Sequence, residues 1–566
     1  MRLVIAAAMF VVSIMLGLVG VGQRTIWAPP ASVSISTKVQ STSPYVVLQH
    51  SLLAKHAGKP HIIISGSSAF IASGRESDVE AFIGKTSQTT VGLDPKGAQL
   101  ATNTIIGAAQ GVSPVGSDLW RDSISGTGKT TLIADASQDG AVVIASDGIA
   151  AAPQSVQIVW PIANDLFWSN LLLIFAGALL LAAVILNVIV RREDRLKNGP
   201  RRRLPKAPSG PKYRPRRKAR FAPARGRRAA GRRAMVIPAS LATLALLAGC
   251  STAHTTAASS PSASTNATKQ APPVVVASQL QRILADVASA ANAADLNNDK
   301  KLLEPRFTGP ALNLRAVHYF LRSKDKTVPA LPAIVARPIS FSLPAATSAW
   351  PRTIMAVTDE PGQTALPQLI VLQQADPRSN YQVWYTVRLM PGAKIPEVPA
   401  ASSGAIPVGA KSLFLKVPPL SLPASYGDLI NKGQSSLSAQ LFDVSNDEFY
   451  KQVSTSQQQQ VTNLKNGKIT FTHALGDSNV LALSTSQAGA LVAVYMTDTY
   501  LIKPTKQGSA VGVSGQEALI LGGNGSSKGV RSIYGNMMLF YVPALSSNSK
   551  IRLIGVTQGL VSVRSL

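Results

Sequence analysis

Twenty-five consecutive residues, Leu166 to Val190, carry no charge: LFWSNLLLIFAGALLLAAVILNVIV. At about 1.5 Å rise per residue, a helix of that length exceeds the roughly 30 Å hydrocarbon core of a bilayer. Residues 166–190 therefore read as a transmembrane helix, with Trp160 and Trp168 near its start, where interfacial aromatics sit. A second run, LVIAAAMFVVSIMLGLVGVG, follows Arg2 and is also long enough to span. It lacks an Ala-x-Ala-like exit before Gln23-Arg24, so residues 3–22 read as an uncleaved anchor in preference to a cleaved signal peptide. Everything else must fold in the stretches these two runs leave.

The charge is concentrated in one of those stretches. The net charge of +28 suggests a nucleic-acid binder until it is located. Residues 191–234 hold 19 Lys/Arg against two acids, which accounts for +17 of the total. That stretch abuts an apolar run on either side and contains only Tyr213 and Phe221 as aromatics, too few for base stacking. The favoured reading is a cytoplasmic topological signal, because Lys and Arg mark the inner face, with contact to anionic lipid headgroups as a further role. No nucleic-acid partner is expected.

With the basic stretch inside, the segment between the spans, 27–160, lies outside the membrane. HIIISGSSAFIAS, TTLIADAS and GAVVIASDG are β-branched runs punctuated by Gly, Ser and Asp, whereas ESDVEAFIG reads as a short helix. The expectation is a β-rich, sandwich-like ectodomain.

After the basic stretch comes MVIPASLATLALLAGC, residues 235–250, whose apolar core of about 14 residues reaches only about 21 Å as a helix. That suits a signal-peptide core better than a permanent span. Residues 251–275 are rich in Ser, Thr, Ala and Pro and read as a flexible tether. The rest looks like one plan used twice, helices first and an antiparallel meander after, over 276–395 and again over 420–566. In the first copy Ser278 with Gln281 has capping-box spacing, and Leu280, Ile283, Leu284 and Val287 form a helical stripe. In the second, Ser445 and Glu448 have capping-box spacing. The fold class is thus a multi-domain membrane protein: a β-rich ectodomain between two transmembrane helices, then tandem α+β domains, cystatin-like or NTF2-like by element order.

The residues LLAGC, Leu246 to Cys250, resemble the lipobox of bacterial lipoproteins. The resemblance implies lipid attachment at Cys250 and cleavage after Gly249, with Leu247 at the −3 position and Ala248 between them. A basic n-region, a short core, the box and a Ser/Thr tether coincide here, although the box lies deep inside the chain. The competing reading is a small buried hydrophobe, since a free cysteine often packs as one. Cys250 is the only cysteine, so an internal disulfide is impossible. More loosely, GQRTIWAPP, GRESDVEAFIG, PRFTGPAL and WPRTIMAVT are similar to a family of actinobacterial envelope proteins with no assigned activity. That likeness implies an envelope location and nothing catalytic.

Several local motifs fall short of chemistry. SGTGKTT, Ser125 to Thr131, has Ser123 where a phosphate loop needs Gly, and a β-turn is the better reading. DLNNDKKLLEP, from Asp295, has Lys300 and Arg306 where a calcium loop needs Gly and Glu. Ser323 and Lys326 have the Ser-x-x-Lys spacing of penicillin-recognising enzymes without the companion motifs, and GVSGQ ends in Gln516 where a nucleophile elbow needs Gly. His50, His56 and His61 lie close in sequence but at spacings that suit neither a helix nor a strand face. Asp286, Asp428, Asp443 and Asp477 are candidates for lining a cavity, with no acid/base pair assignable from sequence. No nucleotide, metal or other cofactor is expected. The functional expectation is a membrane-anchored envelope lipoprotein acting as a non-enzymatic binding or assembly module, with membrane lipid and other envelope proteins as partners. An envelope enzyme with a pocket in an α+β domain is the alternative. A fusion of two adjacent genes, the second starting at Met235, is a third reading.

Overall fold

The computed structural model describes residues 2–28, 30–94, 96, 99–135, 139–162, 167–197, 271–359 and 366–566. It divides into two compact units, Met1–Ala28 with Asp165–Thr268, and Pro29–Asn164 with Lys269–Leu566.

The first unit is a helical hairpin. Helix α1 (Arg2–Gly22) and helix α4 (Phe167–Lys197) are both long and apolar enough to cross a membrane. α4 runs past Val190 into the basic stretch, because Arg191 to Lys197 are good helix formers up to the Gly199-Pro200 breaker. The two helices pair antiparallel. Ser13 Oγ donates to the Ala176 carbonyl at 2.7 Å, Ser169 Oγ donates to the Gly20 carbonyl at 2.9 Å, and Arg2 pairs with Glu193 at 3.3 Å. The buried positions recur at every seventh residue, Ala6, Ser13 and Gly20 on one helix and Ser169, Ala176 and Ala183 on the other. Small residues at that period let two apolar helices approach closely where water-driven burial offers no gain. A Cβ added at Gly20 would lie 3.0 Å from the Leu173 side chain.

The second unit contains the β-rich segment and the whole C-terminal region. The β-rich segment comprises β1 (Ser32–Lys38), β2 (Tyr45–Leu48), helix α2 (His50–Leu53), β3 (His61–Arg75), helix α3 (Glu76–Ile83), β4 (Gln88–Leu93), β5 (Leu100–Ile105), β6 (Asp122–Ile133), β7 (Gly140–Ala145) and β8 (Ser155–Pro161). Its β content is as expected, but the strands form one hydrogen-bonded sheet, order β1-β8-β3-β7-β2-β4-β5 with β6 paired to β3. The long β3 is the shared strand: its first half pairs with β8 and its second half with β7. Period-two alternation sends Ile62, Ile64, Ile71, Val142 and Ile144 to one core, and Phe70, Ala72, Ala141, Val143 and Ala145 to another, which α3 covers with Val79, Phe82 and Ile83. SGTGKTT lies within β6 as a paired strand segment with a register irregularity opposite Gly66 to Ala69, which corrects the turn reading.

The C-terminal region opens with α5 (Ala277–Asn297) and α6 (Gly309–Lys324), followed by the meander β9 (Ile339–Pro344), β10 (Arg352–Thr358), β11 (Gln368–Gln374) and β12 (Gln382–Arg388). Then come α7 (Leu422–Lys432), α8 (Glu448–Asn463), β13 (Gly467–Leu475), β14 (Leu481–Ser484), β15 (Ala490–Pro504), the short β16 (Val511–Gly512), α9 (Gly515–Leu521), β17 (Gly525–Ser526), β18 (Val530–Val542) and β19 (Arg552–Ser565). The helices-then-meander order thus holds twice. The division expected between residues 395 and 420 does not divide the core, however. Leu491, Ala493 and Tyr495 of β15, with Met537, Leu539 and Tyr541 of β18, join one cluster with α5 and the first sheet. The intervening residues Val492, Val494, Met496, Met538, Phe540 and Val542 pack with α7 and α8 in a second cluster. The first half of β15 and the second half of β18 are therefore buried on both faces and belong to both cores.

The α5 stripe packs as read, with Leu280, Ile283, Leu284 and Val287 all buried. Both capping boxes are corrected. The α5 cap lies two residues earlier, at Val276, whose amide donates to the Gln279 side chain. At α8 the cap is Asp447, which accepts from the Tyr450 amide, while Ser445 donates to Asp443.

The hairpin can be tested directly. An ideal Cβ at Gly17 lies 3.9 Å from the Ala176 Cβ, inside the roughly 3.5–4.5 Å range of disulfides. In a Cys250→Ala background, Gly17→Cys with Ala176→Cys is expected to oxidise in membranes and lose maleimide labelling at both thiols. Persistent labelling after oxidation would refute the pairing.

Candidate functional site

The most heavily built polar arrangement in the second unit lies between the β-rich segment and the C-terminal region. It starts at α3. Asp78 sits one turn before Phe82 on the buried face of that helix, so its carboxylate faces inward. It accepts Arg75 Nε at 2.9 Å, Arg75 Nη2 at 3.0 Å and, from the start of β10, Arg352 Nη2 at 2.6 Å. All three side chains are at most 4% exposed. The Arg352 guanidinium also lies 3.6 Å from the centre of the Trp350 ring, and Trp350 itself packs against the β-rich segment's second core. Arg352 Nε and Nη1 have no hydrogen-bond partner among the described residues, so the aromatic face carries part of that charge's stabilisation.

A second anchor is Asp118. Its carboxylate accepts from Arg306 and, at 2.9 Å, from the Tyr381 amide, while its own amide donates to Asn380 Oδ1 at 2.9 Å. Arg306 reaches on to Asp286 at 2.8 Å. Burial raises the Asp118 carboxyl above its ordinary value, and the Arg306 charge opposes that shift. Neutral contacts fill in around the two anchors. Gln279 Nε2 donates to the Asp118 and Leu119 carbonyls at 2.6 and 3.2 Å, and Arg282 donates to the Trp120 and Arg121 carbonyls. Arg378 donates to the Phe82 and Ile83 carbonyls at 2.8 and 3.0 Å, which places a cation on the C-terminal end of α3. Gly84, at φ +57°, ends that helix in a backbone conformation that favours glycine. The β-rich side contributes two buried acids and the buried Arg75, which also donates to the Pro272 and Thr347 carbonyls, and the C-terminal side contributes four arginines, so acids of the first part are met by cations of the second.

A buried His–Asp pair lies elsewhere. His473 Nδ1 and Asp498 Oδ1 are 2.6 Å apart with both side chains fully buried. Gln457 stands 3.2 Å from His473 Nε2, Asn536 donates to Asp498 at 2.8 Å, and Gln558 donates to Asn536 at 2.9 Å. With an amide on one ring nitrogen and a carboxylate on the other, the pair ties α8 to β13, β15, β18 and β19 and has no free atom with which to meet a substrate. A cavity of about 240 Å³ between α6, β12, α9 and β19 is lined by Leu314, His318, Arg388, Gln516, Met537 and Gln558 among others. His318 Nε2 is buried there without a hydrogen-bond partner among the described residues, and burial, reinforced by the Arg322 charge, holds the imidazole below its ordinary value of 6.5.

The sequence-derived sites fare differently. Leu247, Ala248, Gly249 and Cys250 lie outside the described residues, as do His254 and most of 191–234 and of the tether. The four candidate aspartates do not converge. Asp286 pairs with Arg306, Asp428 with Lys432 and Ser436, Asp443 holds Ser445 and Asn446, and Asp477 joins none of them. The calcium-like stretch is structural: Asp295 accepts from Arg315 and Tyr319, and Asp299 caps the 3₁₀ turn at Lys301. No group of three metal-ligating side chains occurs among the described residues. Asp78, Asp118, Arg306, Arg352 and Arg378 were not singled out by the sequence, although an acid on the apolar line of ESDVEAFI was a visible signal for Asp78.

Among the described residues, these features give a chain with two helices long and apolar enough to cross a membrane, and with β-rich and α+β parts joined by a polar seam. The family is a domain of unknown function, DUF8094, whose model matches residues 271–565, just over half of the 566 residues, and the chain belongs to that family. No curated protein and no solved structure matches it.

Removing Arg352 leaves Asp78 with one partner in a buried site. Arg352→Ala is expected to cost about 3–5 kcal/mol, the usual scale for breaking a buried pair, measurable by denaturant unfolding. A loss under about 1 kcal/mol would mean the pair carries no such role. His318 supplies a pH test. Its folded value is depressed, so the unfolded chain binds the proton first as pH falls, and stability present above about 6.5 is lost below it. His318→Gln is expected to flatten the fall of Tm below pH 6.5, and an unchanged slope would refute the assignment.

Proposed function

We propose that this chain is a membrane-anchored envelope lipoprotein that works as a binding or assembly module outside the cytoplasmic membrane. The supporting observation is the buried seam. Two spans, α1 and α4, return the chain after residue 197 to the side on which it began. The β-rich segment lies between those spans, and the C-terminal region is buried against it through Asp78–Arg352 and Asp118–Arg306. Parts that share buried charges lie on one side of the membrane, which supports a third crossing between residues 198 and 270. That interval holds one apolar run, 235–250, which ends in the lipobox-like LLAGC.

On this reading both folded parts face outward, 191–234 is cytoplasmic, and Cys250 emerges on the outer face, where lipid attachment and cleavage after Gly249 take place. One acyl chain binds a membrane only marginally, so a diacylated cysteine suits an anchor without a retained span. Each helix-and-meander half is taken as cystatin-like or NTF2-like. The binding role is favoured over catalysis because the buried charged groups are spent on internal contacts and the His473–Asp498 pair is closed. An exposed apolar tip, with Leu413, Phe414 and Leu545 between 64% and 85% accessible and Leu545 bonded to the Phe414 carbonyl, suits contact with another envelope protein. The cavity at His318 favours a second reading, an enzyme or small-ligand site, because its unpartnered ring nitrogen faces polar neighbours.

An immunoblot against the C-terminus separates the outcomes. Wild type is expected as a membrane-bound fragment of 317 residues (566 minus 249), and Cys250→Ala as a full-length species. A full-length wild-type band would overturn processing, and protease resistance of the C-terminal region in intact spheroplasts would overturn the topology.

A further inference from the structure

We infer that the seam is a protein–protein docking surface, able to hold the C-terminal body on the β-rich segment after the chain between them is cut. The cores carry the argument. The β-rich segment closes its own two clusters, and the C-terminal region closes its own three. Among the described residues, Trp350 is the one side chain that joins a cluster from the other side of the seam. What bridges the two is polar and charged: two buried aspartates and Arg75, which donates to the Pro272 and Thr347 carbonyls, from one side, with Arg352, Arg306, Arg378 and Arg282 and the amide of Gln279 from the other. A core cut in half would share apolar residues; a surface between separately completed parts is held by complementary charge and directed hydrogen bonds. The seam has the second composition.

The partner that fits the β-rich surface is therefore the chain's own C-terminal body. Its occasion in the cell rests on the proposed cut after Gly249, which would leave two polypeptides: a hairpin-anchored β-rich part and a lipid-anchored α+β part. The seam would then keep them as a heterodimer in which the N-terminal product retains the lipoprotein. The holding itself does not depend on lipidation.

The test uses the full chain with Cys250→Ala, which blocks the native cut, and a protease recognition site inserted within residues 251–268. The protein is purified in detergent through an N-terminal tag and cut. All apolar helices stay with the tagged product, so co-elution of the C-terminal product reports the seam alone. With the native seam, most of the C-terminal product is expected to stay on the resin. Arg306→Ala with Arg352→Ala is expected to raise the released fraction at least tenfold. Gln279→Ala with Arg378→Ala, which leaves no buried acid unpaired, is expected to give partial release and decides the matter if the first variant does not fold. Complete release with the native seam, or retention that the second variant leaves unchanged, would overturn the inference. Neither result depends on whether the cell cleaves before Cys250, which the immunoblot reads separately.

Discussion

The second unit depends on one carboxylate. Asp78 sits where water is excluded, and an unpaired charge there would be costly enough to unfold its surroundings. It persists because Arg75 holds it from the end of β3, at the cap of α3, and Arg352 from β10, nearly 300 residues later. Arg352 in turn is held in place by the Trp350 ring. This single cluster fixes where α3 begins, how β10 begins and which surface of the C-terminal region meets the β-rich sheet. Asp118 repeats the arrangement with Arg306, and the arginine and glutamine contacts to backbone carbonyls set the register between the two anchors.

A different constraint organises the C-terminal body. Its second sheet has no solvent-facing side over most of β15 and β18, so every residue there must suit one core or the other. Alternation settles which, sending odd-numbered positions such as Leu491 and Leu539 toward the first sheet and even-numbered ones such as Val492 and Phe540 toward α7 and α8. The His473–Asp498–Asn536–Gln558 chain then supplies hydrogen-bond partners for polar groups that this double burial removes from water. The small cavity at His318 lies where α6 and α9 approach the same sheet edge, between the two halves rather than inside either.

Much of this was legible in the sequence for local reasons. Twenty uncharged residues have few options in water, so both spans could be read directly. The α5 stripe and the short helix at Glu76 follow from periodicity, and the helices-then-meander order is visible twice. The capping boxes at Ser278 and Ser445 misled because Gln279 and Asp447 offered equivalent acceptors two residues away from the expected ones, and packing chose between them. SGTGKTT reads as a turn by its glycines, yet β3 supplies a partner strand for it. Arg352 looks like an ordinary charge at the edge of an apolar segment, and Asp78 shows only as an acid on the apolar line of a short helix.

The sequence by itself determined the hairpin's two apolar helices, the location of the positive charge, the β-rich and α+β character of the two folded regions, and the candidate lipid site at Cys250. Those properties are written in runs of neighbouring residues, where hydropathy and periodicity act. Only the tertiary structure decided that the two halves of the C-terminal region share a core and that the β-rich segment is pinned to them by buried ion pairs. A pair such as Asp78 with Arg352 is created by the fold that brings distant residues together and excludes water around them, and no local pattern encodes that exclusion.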